Sequence, residues 1–299
     1  MTASFEGAAM KTVFLFSGQG SQCEGMGVEL ADKGYRHIFD EASEVLGFDL
    51  YDKCKNASAE ELAVTTVAQP AIMAVSLIQA ENYRDQGITA EAVAGHSLGE
   101  YAALVYSGMV SRADGFRLIK ERSEAMHRAA EKASGSMYAV IGMDADKIEK
   151  ICEETDGYVL PVNYNSPVQT VIAGEDEAAK AAADRCLAEG ARRAVKLNVA
   201  SAFHSRLMQS AADEFVTFAR TIEYSAPQIT VMSNVTGRAF VFGEEDMAER
   251  LARHIVSPVR FVDEINALYA DGYDRYIECG PGKVLAGLVK KTLKGVEII

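Results

Sequence analysis

The run Ala92-Val93-Ala94-Gly95 leads directly into His96-Ser97-Leu98-Gly99 and then into a helix-like stretch ending at Tyr106. A short apolar strand, a sharp turn and a helix that starts at once leave little conformational choice. The turn matches G-x-S-x-G, in which the two glycines allow the backbone to bend and pack closely. This geometry lifts the Ser97 hydroxyl to the head of a sheet. It also sets Ser97 at a helix N-terminus, where free N–H groups favour developing negative charge. A serine that merely caps a plain strand-to-helix turn has the same local pattern. Either reading requires a strand followed by a packed helix, and therefore an α/β sheet.

The flanking segments agree. Thr12–Phe16 reads as a buried strand ended by Ser17-Gly18, and Arg275–Glu278 as another, leading into Gly280-Pro281-Gly282 and a last helix to Leu293. Amphipathic stretches lie at Gly27–Lys33 and Tyr35–Leu46. A strongly apolar helix is expected from Gln69 to Gln86, with Pro70 in its first turn and Gly87 at its end. Helices are also expected at Ala113–Lys132, Ser205–Thr221, Glu245–Ile255 and Phe261–Ala270, with a strand at Ile229–Ser233. Between residues 133 and 203 the rhythm changes to β-α-β-β-α-β, the ferredoxin-like order. The expected architecture is a hydrolase-like, largely parallel α/β core built from residues 10–132 and 204–299. Residues 133–203 would form an inserted ferredoxin-like subdomain, and residues 1–9 a leader.

Charge and cysteine usage exclude several functions. Asp and Glu number 43 against 30 Lys and Arg, a net charge of -13. Such a surface repels nucleic acid and anionic lipid, so neither is an expected partner. No run reaches the length of a membrane span, and the first ten residues lack the apolar core of a signal peptide, so a cytoplasmic location is expected. The five cysteines show no C-x-x-C spacing, which argues against a zinc ribbon, a redox dithiol or a disulfide framework. No metal and no redox cofactor is expected.

A serine nucleophile needs a base. Of five histidines, His204 lies where the inserted unit rejoins the larger one, a natural cleft wall; His254 lies near a helix end before Ser257-Pro258. The loop Ser17-Gly18-Gln19-Gly20-Ser21-Gln22 follows the first strand, where open α/β sheets bind ligands. A dinucleotide fingerprint fails there, because Cys23 stands where Gly or Ala is needed and no acidic residue ends a second strand. Gln19 can instead aim an amide donor into a site. Arg122, on a charged helix, could equally be solvated and paired with Glu121 or Glu124.

Taken together, the motifs resemble the malonyl-CoA:acyl carrier protein transacylases and the acyltransferase domains of fatty acid and polyketide synthases. The resemblance runs from Lys11 to Leu293. It rests on FLFSGQGSQ (14–22), AQPAI (68–72), GHSLGE (95–100), Arg122 with Met126, NYNSPVQTVIAG (163–174), SAFHSRLM (201–208), SPVRF (257–261) and ECGPGKVLAGL (278–288). It implies an acyltransferase that moves malonyl from malonyl-CoA to the phosphopantetheine thiol of acyl carrier protein. No cofactor is implied beyond the coenzyme A thioester itself. Ser97 would be the acylated nucleophile and His204 its base. Gln19 and the Leu98 N–H would form the oxyanion hole, and Arg122 would hold the malonyl carboxylate. Phe203 resembles the malonyl-selective version of its motif. Arg192 and Arg193 would meet substrate phosphates at the cleft rim. A serine hydrolase on the same elbow is the alternative, though it has no need of a carboxylate clamp.

The chain departs from the family pattern at three places. Ser17 replaces a common proline, Phe261 a common tryptophan, and His254 a common glutamine whose backbone carbonyl orients the catalytic histidine. The carbonyl of His254 is expected to serve as well, since every residue supplies one. The competing expectation is that its imidazole joins the site as a second, charged ring.

Overall fold

Strand β1 (Thr12–Phe16) is buried at every position, so both of its faces must be covered. In the computed structural model, which describes residues 10–299, Phe14 and Phe16 enter one apolar cluster while Val13 and Leu15 enter another on the opposite face. Burying one such side chain is worth about 1.5–3 kcal/mol. The expected leader, residues 1–9, lies outside the described residues.

The remaining strands are β2 (Ala92–Gly95), β3 (Ser136–Ile141), β4 (Val159–Ser166), β5 (Gln169–Gly174), β6 (Arg193–Lys196), β7 (Thr230–Ser233), β8 (Arg238–Ala239), β9 (Arg275–Cys279) and β10 (Glu297–Ile298). The larger sheet has the order β10-β9-β1-β2-β7-β8. Its pairings are parallel except at the β7–β8 edge. Helices cover both faces, so the chain is an α/β protein. Because β1 and β2 run side by side, Gly18-Gln19 and the Ser97 turn emerge at the same end of the sheet.

The smaller sheet has the order β4-β5-β3-β6 and is antiparallel throughout. Helices Ala145–Glu153 and Asp176–Ala188 pack on one of its faces around Val140, Ile148, Ile172 and Ala179. The opposite face, carrying Met137 and Ala139, looks toward the larger sheet. The two units are stitched together where Tyr164 N–H donates to Val259 O at 2.8 Å and Val259 N–H to Val162 O at 2.8 Å.

Several boundaries differ from the sequence expectation. The apolar helix runs Thr65–Asp85, so Pro70 lies beyond the first turn. The β-branched Val64-Thr65-Thr66-Val67 conceals this start, and Pro70, the sixth residue of the helix, leaves one backbone carbonyl of the preceding turn without its usual donor. Helices Leu50–Asn56 and Ala59–Ala63, capped by Asp49 and Ser58, were not anticipated. The expected helix from Ser205 opens with a 3-10 turn, Arg206–Met208, before Gln209–Ala219. Strand β6 stops at Lys196, and Leu197 and Val199 turn to line a cavity instead. Among the described residues no helix is long and apolar enough to cross a membrane. Four of the five cysteines are buried, and all five are free thiols.

Candidate active site

The elbow is tight for steric reasons. A Cβ at Gly95 would run into the Gly99 backbone, and one at Gly99 into the Phe16 carbonyl. Within this turn Ser97 adopts φ 53°; His204, at φ 60°, is the other non-glycine residue with positive φ among those described. Both side chains sit in a conformation that L-residues disfavour, and backbone strain of this kind clusters at functional sites.

These two strained residues meet. Ser97 Oγ lies 2.7 Å from His204 Nε2. On the other side of the ring, Nδ1 lies 3.1 Å from each of two backbone carbonyls, those of His254 and Ser257. A carbonyl can only accept, so Nδ1 carries the proton and Nε2 is the free acceptor facing the serine hydroxyl. Burial, then the charge of Arg122, then His96, push the His204 pKa down to about 3. At neutral pH the imidazole is therefore uncharged and able to accept a proton.

Arg122 is fully buried on helix Arg112–Lys132. Its Nη1 donates to Gln69 Oε1 at 2.6 Å and its Nη2 to Ser97 Oγ at 3.1 Å, while Nε has no partner among the described residues. The guanidinium also faces the Tyr101 ring at 5.3 Å. Among the described residues no carboxylate forms an ion pair with it, and the alternative of a solvated arginine held by Glu121 or Glu124 does not apply. A buried cation without a counter-ion is costly, and burial lowers its pKa. Such a group stands ready for an anionic ligand beside the serine.

Gln19, Met126, Met137, Asn163, Leu197, Val199 and Phe203 line a small chamber with Ser97 and His204. It continues outward into a cavity of about 220 Å³ between the sheets, bounded by Gln19, Ser21, His96, Asn165, Gln169 and Leu285. His96 Nε2 lies 2.7 Å from Asn165 Oδ1 and so ties the elbow to the smaller sheet. The Ser97 N–H is already committed to Asn234 Oδ1 at 2.7 Å. An oxyanion beside Ser97 is thus left the next N–H, that of Leu98, and the side chain of Gln19.

Arg192 and Arg193 are exposed and do not line either cavity. Arg193 pairs with Ile141, on the same sheet face as Ala139 and Leu197; Arg192 lies over Gly142, one residue out of that register. The His254 imidazole is fully buried, with its ring 5.5 Å from that of His204. Burial and the charge of Arg122 hold its pKa well below the ordinary value. It is therefore uncharged near neutral pH, and a cationic second ring does not arise there. Behind the elbow lie two buried carboxylates, Glu100 and Glu264, both with pKa raised by burial, that of Glu100 to about 7.

Sequence reasoning missed Gln69, Asn234 and Ser257. Gln69 and Ser257 fall within quoted motifs, AQPAI and SPVRF, so those segments could have pointed to them. Asn234 had no local signal.

Comparison with known proteins gives a consistent picture. The acyl transferase domain family matches residues 13–298. Malonyl CoA-acyl carrier protein transacylase of Bacillus subtilis is 40% identical over 295 residues, covering 97% of this chain and 92% of that protein. The Escherichia coli K12 protein of the same name is 40% identical over 285 residues, covering 94% and 92%. The crystal structure of an acyl carrier protein S-malonyltransferase from Vibrio cholerae superposes with a TM-score of 0.89 at 39% identity, covering 96% of this chain and 95% of that one. The strained serine–histidine pair and the unpaired arginine thus sit in a chain that belongs to the malonyl-CoA:acyl carrier protein transacylase family.

Proposed function

We propose that Ser97 carries the malonyl group during its transfer from malonyl-CoA to the phosphopantetheine thiol of acyl carrier protein. The transfer is the activity of the family; the residue roles are our reading. One observation carries it: the Arg122 guanidinium, buried and without a carboxylate partner, reaches to 3.1 Å from Ser97 Oγ. A planar fork there can take the free malonyl carboxylate in two parallel hydrogen bonds and hold the thioester carbon over Oγ.

The steps follow from the contacts. His204 Nε2 takes the Ser97 hydroxyl proton as Oγ attacks the thioester carbonyl. The oxyanion is received by Leu98 N–H and Gln19. Collapse breaks the carbon–sulfur bond, and His204 returns the proton to the coenzyme A thiolate. The carrier thiol then gives its proton to His204 and attacks the malonyl ester, and Ser97 regains its hydrogen. Burial is the larger cause of the low His204 pKa; pairing of the malonyl carboxylate with Arg122 offsets the second cause, the guanidinium charge, and to that extent strengthens the base. Phe203, buried against the chamber, fills the space an α-methyl branch would need, worth about 1–3 kcal/mol of discrimination. The direct test is transfer to holo carrier protein: malonyl-CoA should load it and acetyl-CoA should load it poorly. Equal loading would contradict the clamp.

The low pKa of His204 fixes the sign of the pH dependence. A depressed pKa keeps the neutral base available as pH falls. The acylation kcat/KM, which reports the free enzyme, should show no imidazole step near 6.5 and should fall only toward about 3. A tenfold loss centred near the ordinary histidine value would show that His204 is not the depressed base.

We also propose that residues 133–203 form a ferredoxin-like subdomain inserted into a hydrolase-like domain of residues 10–132 and 204–299. The β4-β5-β3-β6 order and the two helices between consecutive strands support it. Arg193, on the cleft side of this sheet, is the better placed of the two arginines for substrate phosphates. Arg193→Glu should raise the KM for malonyl-CoA about two- to fivefold at low salt, the worth of one rim ion pair. Arg192→Glu should do less, and added salt should erase the difference. An unchanged KM in both variants at low salt would remove the arginines from the phosphate path.

A further inference from the structure

We propose that Asn234 is a positioning residue for acyl transfer, one that holds Ser97 in its left-handed elbow and, through the His254 imidazole, ties that elbow to the segment orienting His204. The proposal rests on the reading of Ser97 and His204 as nucleophile and base.

Asn234 lies 137 residues from Ser97 in the chain, and the sheet brings them together. Strand β7 pairs in parallel with β2, so the residue following β7 arrives beside the turn that follows β2. There its side-chain amide is fully used. Oδ1 accepts the Ser97 N–H at 2.7 Å and lies 3.1 Å from His254 Nε2. Nδ2 donates to the Gly95 carbonyl at 2.6 Å and to Glu264 Oε1 at 2.7 Å. The Gly95 carbonyl can only accept and the Ser97 N–H can only donate, so the amide can be oriented in only one way. That orientation in turn requires His254 Nε2 to carry its proton. The Asn234 N–H is also fixed, donating to Glu100 Oε2 at 2.7 Å.

These contacts bear on chemistry as well as on packing. Gly95 and Ser97 flank the turn, and Asn234 grips the backbone of both. Without that grip a side chain at φ 53° has every reason to relax. Relaxation would carry Oγ away from His204 Nε2. Residue 254 then acts twice: its carbonyl accepts from His204 Nδ1 and its ring donates to Asn234. A glutamine at 254 could supply the same two functions, a carbonyl and a side-chain N–H. The departure from the family pattern at this position therefore preserves the donor, and the donor is what the site requires.

The test is the first-turnover acylation of the full chain by malonyl-CoA, read by rapid quench and intact mass, with peptide mapping of the adduct. Asn234→Ala should lower the rate constant at saturation on the order of 10²-fold, the usual result of misplacing a reacting atom by an ångström. The half-saturating malonyl-CoA concentration should stay within about threefold, because Arg122 and the cleft are untouched. His254→Leu, which keeps the carbonyl and loses the donor, should cost about tenfold at saturation, and His254→Gln should restore the rate to within about threefold. If Asn234→Ala does not fold, the Leu and Gln pair decides the matter. Equal rates for His254→Leu and His254→Gln, or a folded Asn234→Ala acylating at the wild-type rate, would overturn the positioning role. A wild-type adduct mapped to a residue other than Ser97 would instead overturn the reading on which it rests.

Discussion

Ser97→Ala should form no malonyl adduct and should lose at least about 10⁴-fold in transfer, the scale on which removal of a serine nucleophile is felt. The structure makes this a clean substitution. The contact that fixes the elbow runs from the backbone N–H of residue 97 to Asn234, and alanine keeps it. The lost hydroxyl takes away the partner of His204 Nε2 and of Arg122 Nη2, but each side chain stays held through another atom, His204 by Nδ1 and Arg122 by Nη1. Folding, followed by thermal melting, should therefore be nearly unchanged while turnover vanishes. Transfer near the wild-type rate by a preparation free of wild-type protein would mean that Ser97 only caps its helix.

Arg122→Ala should separate two acyl groups that differ by one carboxylate. Malonyl transfer should fall about 10²- to 10⁴-fold, corresponding to the roughly 3–5 kcal/mol lost when one partner of a buried ion pair is removed. Acetyl transfer should change less than about tenfold, because acetyl offers the guanidinium nothing to hold. Arg122→Lys keeps the charge but not the planar fork, and should fall between the two. Arg122 also supports the site without ligand, through Gln69 and the face of Tyr101. Equal losses for malonyl and acetyl would assign it to that supporting role alone.

The residues that announced themselves in the sequence did so through local pattern. Ser97 sits between two glycines whose closeness is visible in the motif, and each lacks room for a Cβ in the structure. His204 stands at the junction of two rhythms of secondary structure, which is why it reaches the cleft. The short, continuous apolar run of β1 was legible as a buried strand from local pattern too. What stayed hidden depends on contacts between distant segments. Asn234 follows a four-residue strand in a run, Ser233-Asn234-Val235-Thr236, that reads as an ordinary turn; its worth comes from the five hydrogen bonds that its side chain and N–H make to the elbow and three helices. The Ser257 carbonyl that shares His204 Nδ1 is a backbone atom, so the motif that holds Ser257 does not mark the contact. For His254, the family resemblance implied that the carbonyl could serve but gave no hint that the ring hydrogen-bonds Asn234. Pro70 misled in the other direction: it marks the neighbourhood of a helix start, and the start lies at Thr65.

The central claim is a malonyl ester on Ser97 that waits for a thiol. Incubating the protein with malonyl-CoA in the absence of carrier protein, and weighing it intact, tests that claim most directly. The expected result is a mass increase of one malonyl group, mapped to Ser97 and discharged on addition of holo carrier protein, which gains the same mass. Steady release of free malonate with no adduct and no gain by the carrier would mark a serine hydrolase, and an adduct on any other residue would contradict the assignment of the nucleophile.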